Sequence, residues 1–350
     1  METKIIHTKP SDAGFQLFEE LPRLIYPEGS LRFRETENIN TDFLNACFVL
    51  LVNEVPQARA ALYFNPGLAY KGMKTACVGN YECVDDRLIA SQLIEFVVSE
   101  AWQNGAEFLI GPMNGSTWDN YRFSTHHDQP GFLLEPHHPL YYNQQFTDSG
   151  FKEISHYISS KDKVLKCDYP DVLKKEKELA DAGVAIREID LSDFEGELKK
   201  LYPLVISAFS DNFLYTQVDW ETFRKKYMQA AQIISQEYVL IAEDREGNPI
   251  GFIFCYDDLY NQREKSLVVK TIARDSDKKW TGLGQVMANR ILRLLKEKNY
   301  QSLIHAFMIQ DGTSIPASRK FHGAHYKNYA LYGKKISNQA ILSSSVMDIF

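Results

Sequence analysis

The chain has 350 residues, a formal net charge of −7, 44% hydrophobic residues and 24% charged residues. This composition is ordinary for a globular protein and leaves room for two domains. The negative charge argues against a general nucleic-acid binder. No apolar run approaches the roughly 20 residues of a membrane span, and the N-terminus lacks the apolar segment of a signal peptide. With five cysteines and no Cys-x-x-Cys pair, we expect reduced thiols and a cytoplasmic location.

The N-terminal half alternates strand and helix signals. Ser11 is a suitable cap for a first helix, and Pro22 should end it. Asp85 and Asp86 precede a longer helix with an apolar face, which Gly105 should end. The predicted elements are, in order, a strand at 4–8, a helix at 12–21, a hairpin with strands at 46–52 and 60–64, a strand at 75–83, a helix at 87–104, a strand at 107–111 and a closing strand at 151–158.

A long polar and aromatic loop region follows the strand that ends at Gly111. We predict that Trp118 lines an acceptor pocket with Tyr141 and Tyr142, and that Arg122 and Glu135 are its charged anchors. The alternative is that an Arg–Glu pair and the aromatic side chains only hold the loop together. Two pairs of adjacent histidines also lie in this region, but neighbouring side chains in an extended segment point apart, and we expect no metal site.

A charged connection, 161–183, leads into the second half. Its run of lysines and glutamates is typical of a solvated surface. The predicted elements beyond it are a strand at 184–189, helices at 193–209 and 219–229, a hairpin with strands at 238–243 and 250–256, a strand at 267–273, a long helix from 283, a strand at 303–308, a short helix at 314–320 and a last strand at 326–336.

The segment Lys279-Trp280-Thr281-Gly282-Leu283-Gly284 joins the strand at 267–273 to the long helix. A helix N-terminus has unpaired N–H groups and a positive dipole end, and glycines let an anion reach the backbone. The pattern therefore predicts a phosphate site. Two glycines by themselves also fit a helix start with no ligand.

The spacing Lys279-x-x-Gly282-x-Gly284 resembles the acyl-CoA loop of the GNAT superfamily of N-acetyltransferases, and the order of elements from about 185 to 336 resembles that family as well. The N-terminal half has the same order, but Cys83–Leu88 stands where the loop should be, with two carboxylates and no glycine. The resemblance implies an α/β fold of two tandem GNAT-like domains, each with a mixed, mostly antiparallel sheet flanked by helices: 1–160 without the loop, and 184–350 with it.

The resemblance also implies the site. Acetyl-CoA or another acyl-CoA would pair with the free edge of the central strand at Ile272, Ala273 and Arg274. An amine acceptor would lie under the loop between the first two helices of the second copy, at Asn212, Tyr215 and Thr216. The implied cofactor-binding residues beyond the strand are Lys279, Trp280, Thr281, Gly282, Leu283, Gly284, Gln285 and Ser314.

The general acid departs from the family pattern. The family's tyrosine position falls on Arg319, which holds its proton too tightly to serve as an acid. Tyr329 and Tyr332 on the last strand are the substitutes, and an odd separation puts them on opposite faces. We predict Tyr332 as the acid and His305 as a base near neutral pH; the alternative for His305 is a hydrogen-bonded core residue.

The resulting prediction is an acyl-CoA-dependent N-acyltransferase that acts on an amine of a small molecule or peptide, as a monomer or homodimer. Two alternatives stay open. The missing helix tyrosine leaves room for an acyl-CoA-binding protein without catalysis. A tandem arrangement also occurs in the Fem-type enzymes that transfer amino acids from tRNA, although the negative charge disfavours that activity.

Overall fold

The computed structural model describes residues 2–30 and 39–337. Most of the strands join in one mixed sheet with helices packed on it. The strands are β1 Thr3–Thr8, β2 Leu44–Val52, β3 Val55–Tyr63, β4 Ala69–Tyr70, β5 Met73–Cys83, β6 Phe108–Gly111, β7 Phe123–Ser124, β8 Lys152–Asp162, β9 Ala185–Glu188, β10 Val239–Glu243, β11 Pro249–Asp257, β12 Ser266–Arg274, β13 Ser302–Ile309 and β14 Ala324–Lys335.

The six predicted helices are present in the predicted order, together with one helix in the predicted loop region after Gly111 and one in the charged connection. They are α1 Phe15–Ile25, α2 Arg87–Gln103, α3 Tyr141–Asp148, α4 Pro170–Asp181, α5 Phe194–Phe209, α6 Trp220–Met228, α7 Leu283–Glu297 and α8 Ser314–Lys320. The prediction for α1 was wrong at both ends. Gly14 stands at its N-cap instead of Ser11, and Pro22 lies inside it. Three buried side chains on one face (Phe15, Phe18 and Leu21) hold this short helix on the sheet despite the proline.

The sheet is antiparallel except at two places, one in each half. β5 pairs with β6 in parallel, and β12 pairs with β13 in parallel. The long helices α2 and α7 provide the two crossover connections, as parallel neighbours require. The predicted fold class, two copies of a mixed and mostly antiparallel arrangement, is confirmed.

The last strand of each copy is exchanged between the copies. β14 pairs with β6 of the N-terminal copy, and β8 pairs with β13 of the C-terminal copy, so the sheet runs continuously through β6-β14-β8-β13. The prediction that the strand at 151–158 closes its own copy was therefore wrong. Register follows the alternation of side chains along a strand, but nothing in that alternation specifies which open edge the strand meets.

Candidate active site

A gap opens in the sheet between β12 and β13. The two strands pair from Ser266–Ser302 to Val269–His305 and then diverge. β12 continues to Arg274 with its other edge paired to β11. Its edge toward β13 is therefore uncovered by any described strand from Lys270 onward. This edge includes the predicted cofactor-binding residues Ile272, Ala273 and Arg274, and offers backbone hydrogen-bonding groups to an extended ligand.

The N-terminus of α7 follows directly after this strand and a single 3₁₀ turn. Gly282 occupies the N-cap with φ +93°, and no side chain of a described residue caps the helix. Only glycine adopts this conformation without strain. A built Cβ on Gly284 would lie 3.4 Å from Cδ1 of Ile272, so the helix start and the open strand edge adjoin. The first-turn N–H groups and the helix dipole make this end a suitable site for an anion.

Three lysines surround the helix start. Lys279 lies 3.4 Å from an Asp277 carboxylate oxygen and 4.6 Å from the Trp280 ring centroid. Lys320 donates to Gln285 at 2.7 Å. Lys175 comes from helix α4 of the connection, and a Cβ on Gly282 would meet its Cγ at 2.8 Å.

The sequence analysis missed Lys175 because it treated the connection as a solvated surface. Among the predicted positions, Thr281 and Leu283 flank Gly282, and Leu283 is fully buried against the sheet. Ser314 is the first residue of α8, which packs on β13.

The corresponding helix start in the N-terminal copy is already occupied by its own side chain. Asp86 accepts hydrogen bonds from the N–H groups of Leu88 and Ile89, at 2.8 and 3.1 Å. This is an ordinary N-cap. The carboxylate uses the donors that an anion would need and adds a repulsive charge.

Tyr332 lies in the N-terminal copy because of the strand exchange. It is opposite Gly111 of β6, packs near Phe123 and Phe146, and donates to Asn143 Oδ1 at 2.8 Å. Burial raises the pKa of Tyr332 to about 12. The prediction of Tyr332 as the general acid assumed that the last strand belongs to the C-terminal copy. The structure pairs that strand with β6 of the N-terminal copy instead.

His305 is next to the gap, but it is held as a structural side chain. Its Nδ1 lies 2.6 Å from the Ser318 hydroxyl oxygen. Burial lowers the pKa of His305 to about 4. A neutral imidazole with so low a pKa is a weak base near pH 7, and this geometry favours the alternative of a hydrogen-bonded core histidine.

The two copies meet at the predicted acceptor loop. Trp118 donates from Nε1 to the backbone oxygen of Thr216 at 2.8 Å, and its ring centroid is 5.8 Å from that of Tyr215. Trp118 is thus brought to Tyr215 and Thr216, two predicted acceptor residues that lie almost 100 positions later in the chain. Asn212 is exposed at the start of the same loop. Asn65 also reaches this loop, with Nδ2 3.1 Å from the Thr216 hydroxyl oxygen.

The two predicted charged anchors, Arg122 and Glu135, do not pair with each other. Glu135 accepts from Lys327 at 3.0 Å and from the Tyr329 hydroxyl at 2.9 Å, so no Arg122–Glu135 pair forms. Arg122 instead lies against aromatic rings, with its guanidinium carbon 4.8 Å from the Phe307 centroid. Lys270, at the start of the open edge, lies 4.5 Å from the same centroid. We did not single out Lys270 from the sequence, where it is the one charge within an apolar strand.

Comparisons with known proteins agree with this architecture. A tandem GNAT protein from the clavulanic acid biosynthesis pathway superposes with a TM-score of 0.53 at 11% identity, over 96% of this chain and 99% of that one. A GCN5-related N-acetyltransferase from Anabaena variabilis gives a TM-score of 0.56 at 8% identity, over 95% of this chain and 73% of that one. The chain therefore has the fold of the GNAT superfamily in its tandem form.

The match found by sequence comparison is a distant one. No family model matches the chain. A curated protein, the bacterial ceramide synthase of Caulobacter vibrioides, is 24% identical over 152 residues. That match covers 42% of this chain and 39% of the relative. Among the described residues, no helix is both long and apolar enough to cross a membrane.

Proposed function

We propose that the protein is an acyl-CoA-dependent N-acyltransferase and that its C-terminal copy binds the CoA thioester. The observation that carries the proposal is the uncapped start of α7, with Gly282 at φ +93°, placed at the end of an open strand edge. Since neither Gly282 nor Gly284 has a Cβ, a phosphate can approach the N–H groups of the first turn. The N-terminal copy lacks this feature, since Asp86 already caps its helix.

Each part of the site then has a role. The N–H groups of α7 and the nearby lysines, including Lys175, bind the pyrophosphate. The free edge of β12 pairs with the amides of the pantetheine arm and directs the thioester into the gap. The loop at Tyr215 and Thr216, held by Trp118 of the other copy, forms the wall of the acceptor side.

The acyl group on the CoA is a separate question. An apolar cavity of about 40 Å³ lies between helices α5 and α6 and the sheet, and Thr271 of the open strand is among its lining residues. Ceramide, the product in the curated relative's name, contains a long acyl chain in amide linkage. The cavity is too small to hold an octanoyl chain, so the relative's name alone is the reason to test octanoyl-CoA beside acetyl-CoA.

Isothermal titration with acetyl-CoA and octanoyl-CoA tests the proposal. We expect micromolar binding by the wild type and loss of most of it in Gly282→Glu/Gly284→Glu. The control is Leu88→Glu, which places one glutamate in the first turn of α2, where the residue is 81% exposed. Binding in this control should equal that of the wild type.

Two results would refute the assignment: no binding of either thioester by the wild type, or equal loss in the control and the glycine variant. Urea unfolding of each variant checks that the fold is intact. Release of CoA thiol with a panel of amines then measures transfer, and binding without release for any amine would indicate a protein that only carries acyl-CoA.

A further inference from the structure

Two cationic side chains from different copies contact the same aromatic ring near the point where β12 and β13 diverge. Arg122 comes from the loop before β7, and Lys270 is the first residue of β12 beyond its pairing with β13. Both lie on the Phe307 ring, at 4.8 Å for the guanidinium carbon and 4.5 Å for the ammonium nitrogen. The rings of Tyr121 and Tyr157 also contact the guanidinium, at 3.8 and 4.3 Å.

An irregularity in β13 provides the shared ring. The register of β13 against β8 shifts between His305 and Met308, and Phe307 has φ +57°. A positive φ is rare for an aromatic residue, and bulges of this kind re-aim side chains next to functional sites. The Phe307 N–H is satisfied by the hydroxyl of Ser159 on the exchanged strand, at 3.2 Å.

Arg122 has no anionic partner in the part of the chain that the structure describes. It is 8% exposed, its Nη1 has no hydrogen-bond partner there, and its Nε donates to the backbone oxygen of Tyr121 at 3.2 Å. Lys270 likewise forms no ion pair with a described residue. A buried charged donor left unpaired is expensive, and two cations that lie against the same ring repel each other. A bound anion would supply the partner that both groups lack.

The carboxylates nearby are engaged elsewhere. Asp119 pairs with Lys226 at 2.6 Å, and Glu135 pairs with Lys327. Burial, followed by the charges of Arg122 and Lys226, lowers the pKa of Lys270 to about 7. Near neutral pH the cluster thus carries between one and two unbalanced positive charges, which matches a monoanion held by a guanidinium fork.

We propose that Arg122 and Lys270 form a carboxylate-binding site, and that the acceptor is an amine that also bears a carboxylate, such as an amino acid or a peptide with a free C-terminus. This inference rests on the proposed N-acyltransferase activity. The positive charge repels an ammonium group and so favours the neutral, nucleophilic amine. In the transfer, the amine nitrogen bonds to the thioester carbon, the C–S bond breaks, and the amine proton ends on the CoA thiol.

The test uses pairs of amines that differ only in the carboxylate. The probes are the twenty amino acids and a set of dipeptides, each beside the corresponding amine without the carboxylate; for leucine this is 3-methylbutylamine. Binding is measured by calorimetry without acyl-CoA, and thiol release is measured with it. The variants are Lys270→Met and Arg122→Gln, and the control is Lys334→Met, which removes another partly buried strand lysine.

We expect at least one carboxylated amine to bind about tenfold or more tightly than its partner, from one charge-assisted contact. That preference should fall about tenfold in each variant and persist in the control, while all three proteins still bind acetyl-CoA. The inference is overturned if no carboxylated probe binds, if the paired amines bind equally, or if only an amine without a carboxylate, such as sphinganine, is acylated.

The two proposals fail separately. Wild-type protein that binds acetyl-CoA without any carboxylate preference overturns this inference and leaves the proposed function standing. Protein that shows the carboxylate preference but binds no acyl-CoA overturns the proposed function and leaves the carboxylate site standing. A variant that unfolds is replaced by Arg122→Lys or Lys270→Arg, which keep the charge and should retain part of the preference.

Discussion

The two glycines at the start of α7 should differ in how their replacement by alanine changes the free energy of unfolding. Gly282 has φ +93°, and a residue with a Cβ in a left-handed conformation is strained by about 1–2 kcal/mol. The new Cβ would also lie 2.8 Å from Cγ of Lys175, which must shift. Gly282→Ala should therefore lower the free energy of unfolding by about 1–2 kcal/mol.

Gly284 is the matched comparison. It is helical, and a Cβ there would lie 3.4 Å from Ile272 Cδ1, which is close to ordinary contact. Replacing a helical glycine by alanine stabilises by roughly 0.5–1 kcal/mol. Gly284→Ala should therefore raise the free energy of unfolding, or leave it unchanged, while Gly282→Ala lowers it.

Both variants should lose affinity for acetyl-CoA, by about tenfold each, because a methyl group stands between the phosphate and the backbone N–H groups. Urea unfolding of the free protein measures stability, and calorimetry measures affinity. A gain in stability with a loss of affinity in Gly284→Ala separates ligand contact from folding. The reasoning is refuted if affinity follows stability in both variants, or if neither variant changes affinity.

Two further predictions concern buried ionisable groups. Burial lowers the pKa of His305 from its ordinary 6.5 to about 4, so the unfolded chain takes up a proton below pH 6.5 that the folded chain does not. The free energy of unfolding should fall by up to about 3 kcal/mol between pH 6.5 and pH 4. His305→Gln should lack this part of the decrease when urea unfolding is measured at a series of pH values. If the free energy of unfolding of His305→Gln depends on pH as the wild type does, the assignment is contradicted. Glu135→Gln leaves Lys327, 1% exposed, without its carboxylate, and should destabilise by about 3 kcal/mol in a thermal or urea melt. The control is Glu153→Gln, which removes the exposed carboxylate that pairs with His156 and should change stability by less than about 0.5 kcal/mol. Equal losses of stability in Glu135→Gln and Glu153→Gln would contradict the burial argument.

Local sequence determined the elements around the phosphate-site candidate. The apolar run of β12, the two glycines and the apolar face of α7 are short-range signals, and each appears in the structure within one or two residues of its predicted place. Capping, glycine conformation and side-chain periodicity act over a few residues, so the sequence contains them directly. The aspartate cap of α2 is also a short-range signal, and it lies within the segment Cys83–Leu88.

Tertiary structure alone decided the partners of the last strands and the composition of the acceptor side. β8 and β14 are ordinary strands in sequence, and their exchange follows from which edges are open once both copies have formed. Because of that exchange Tyr332 lies in the N-terminal copy, and the contact between the copies places Arg122 and Lys270 on the same ring, that of Phe307. The physical reason is that hydrogen bonding along a strand is the same for any partner strand, whereas the choice of partner depends on long-range packing that no local pattern records.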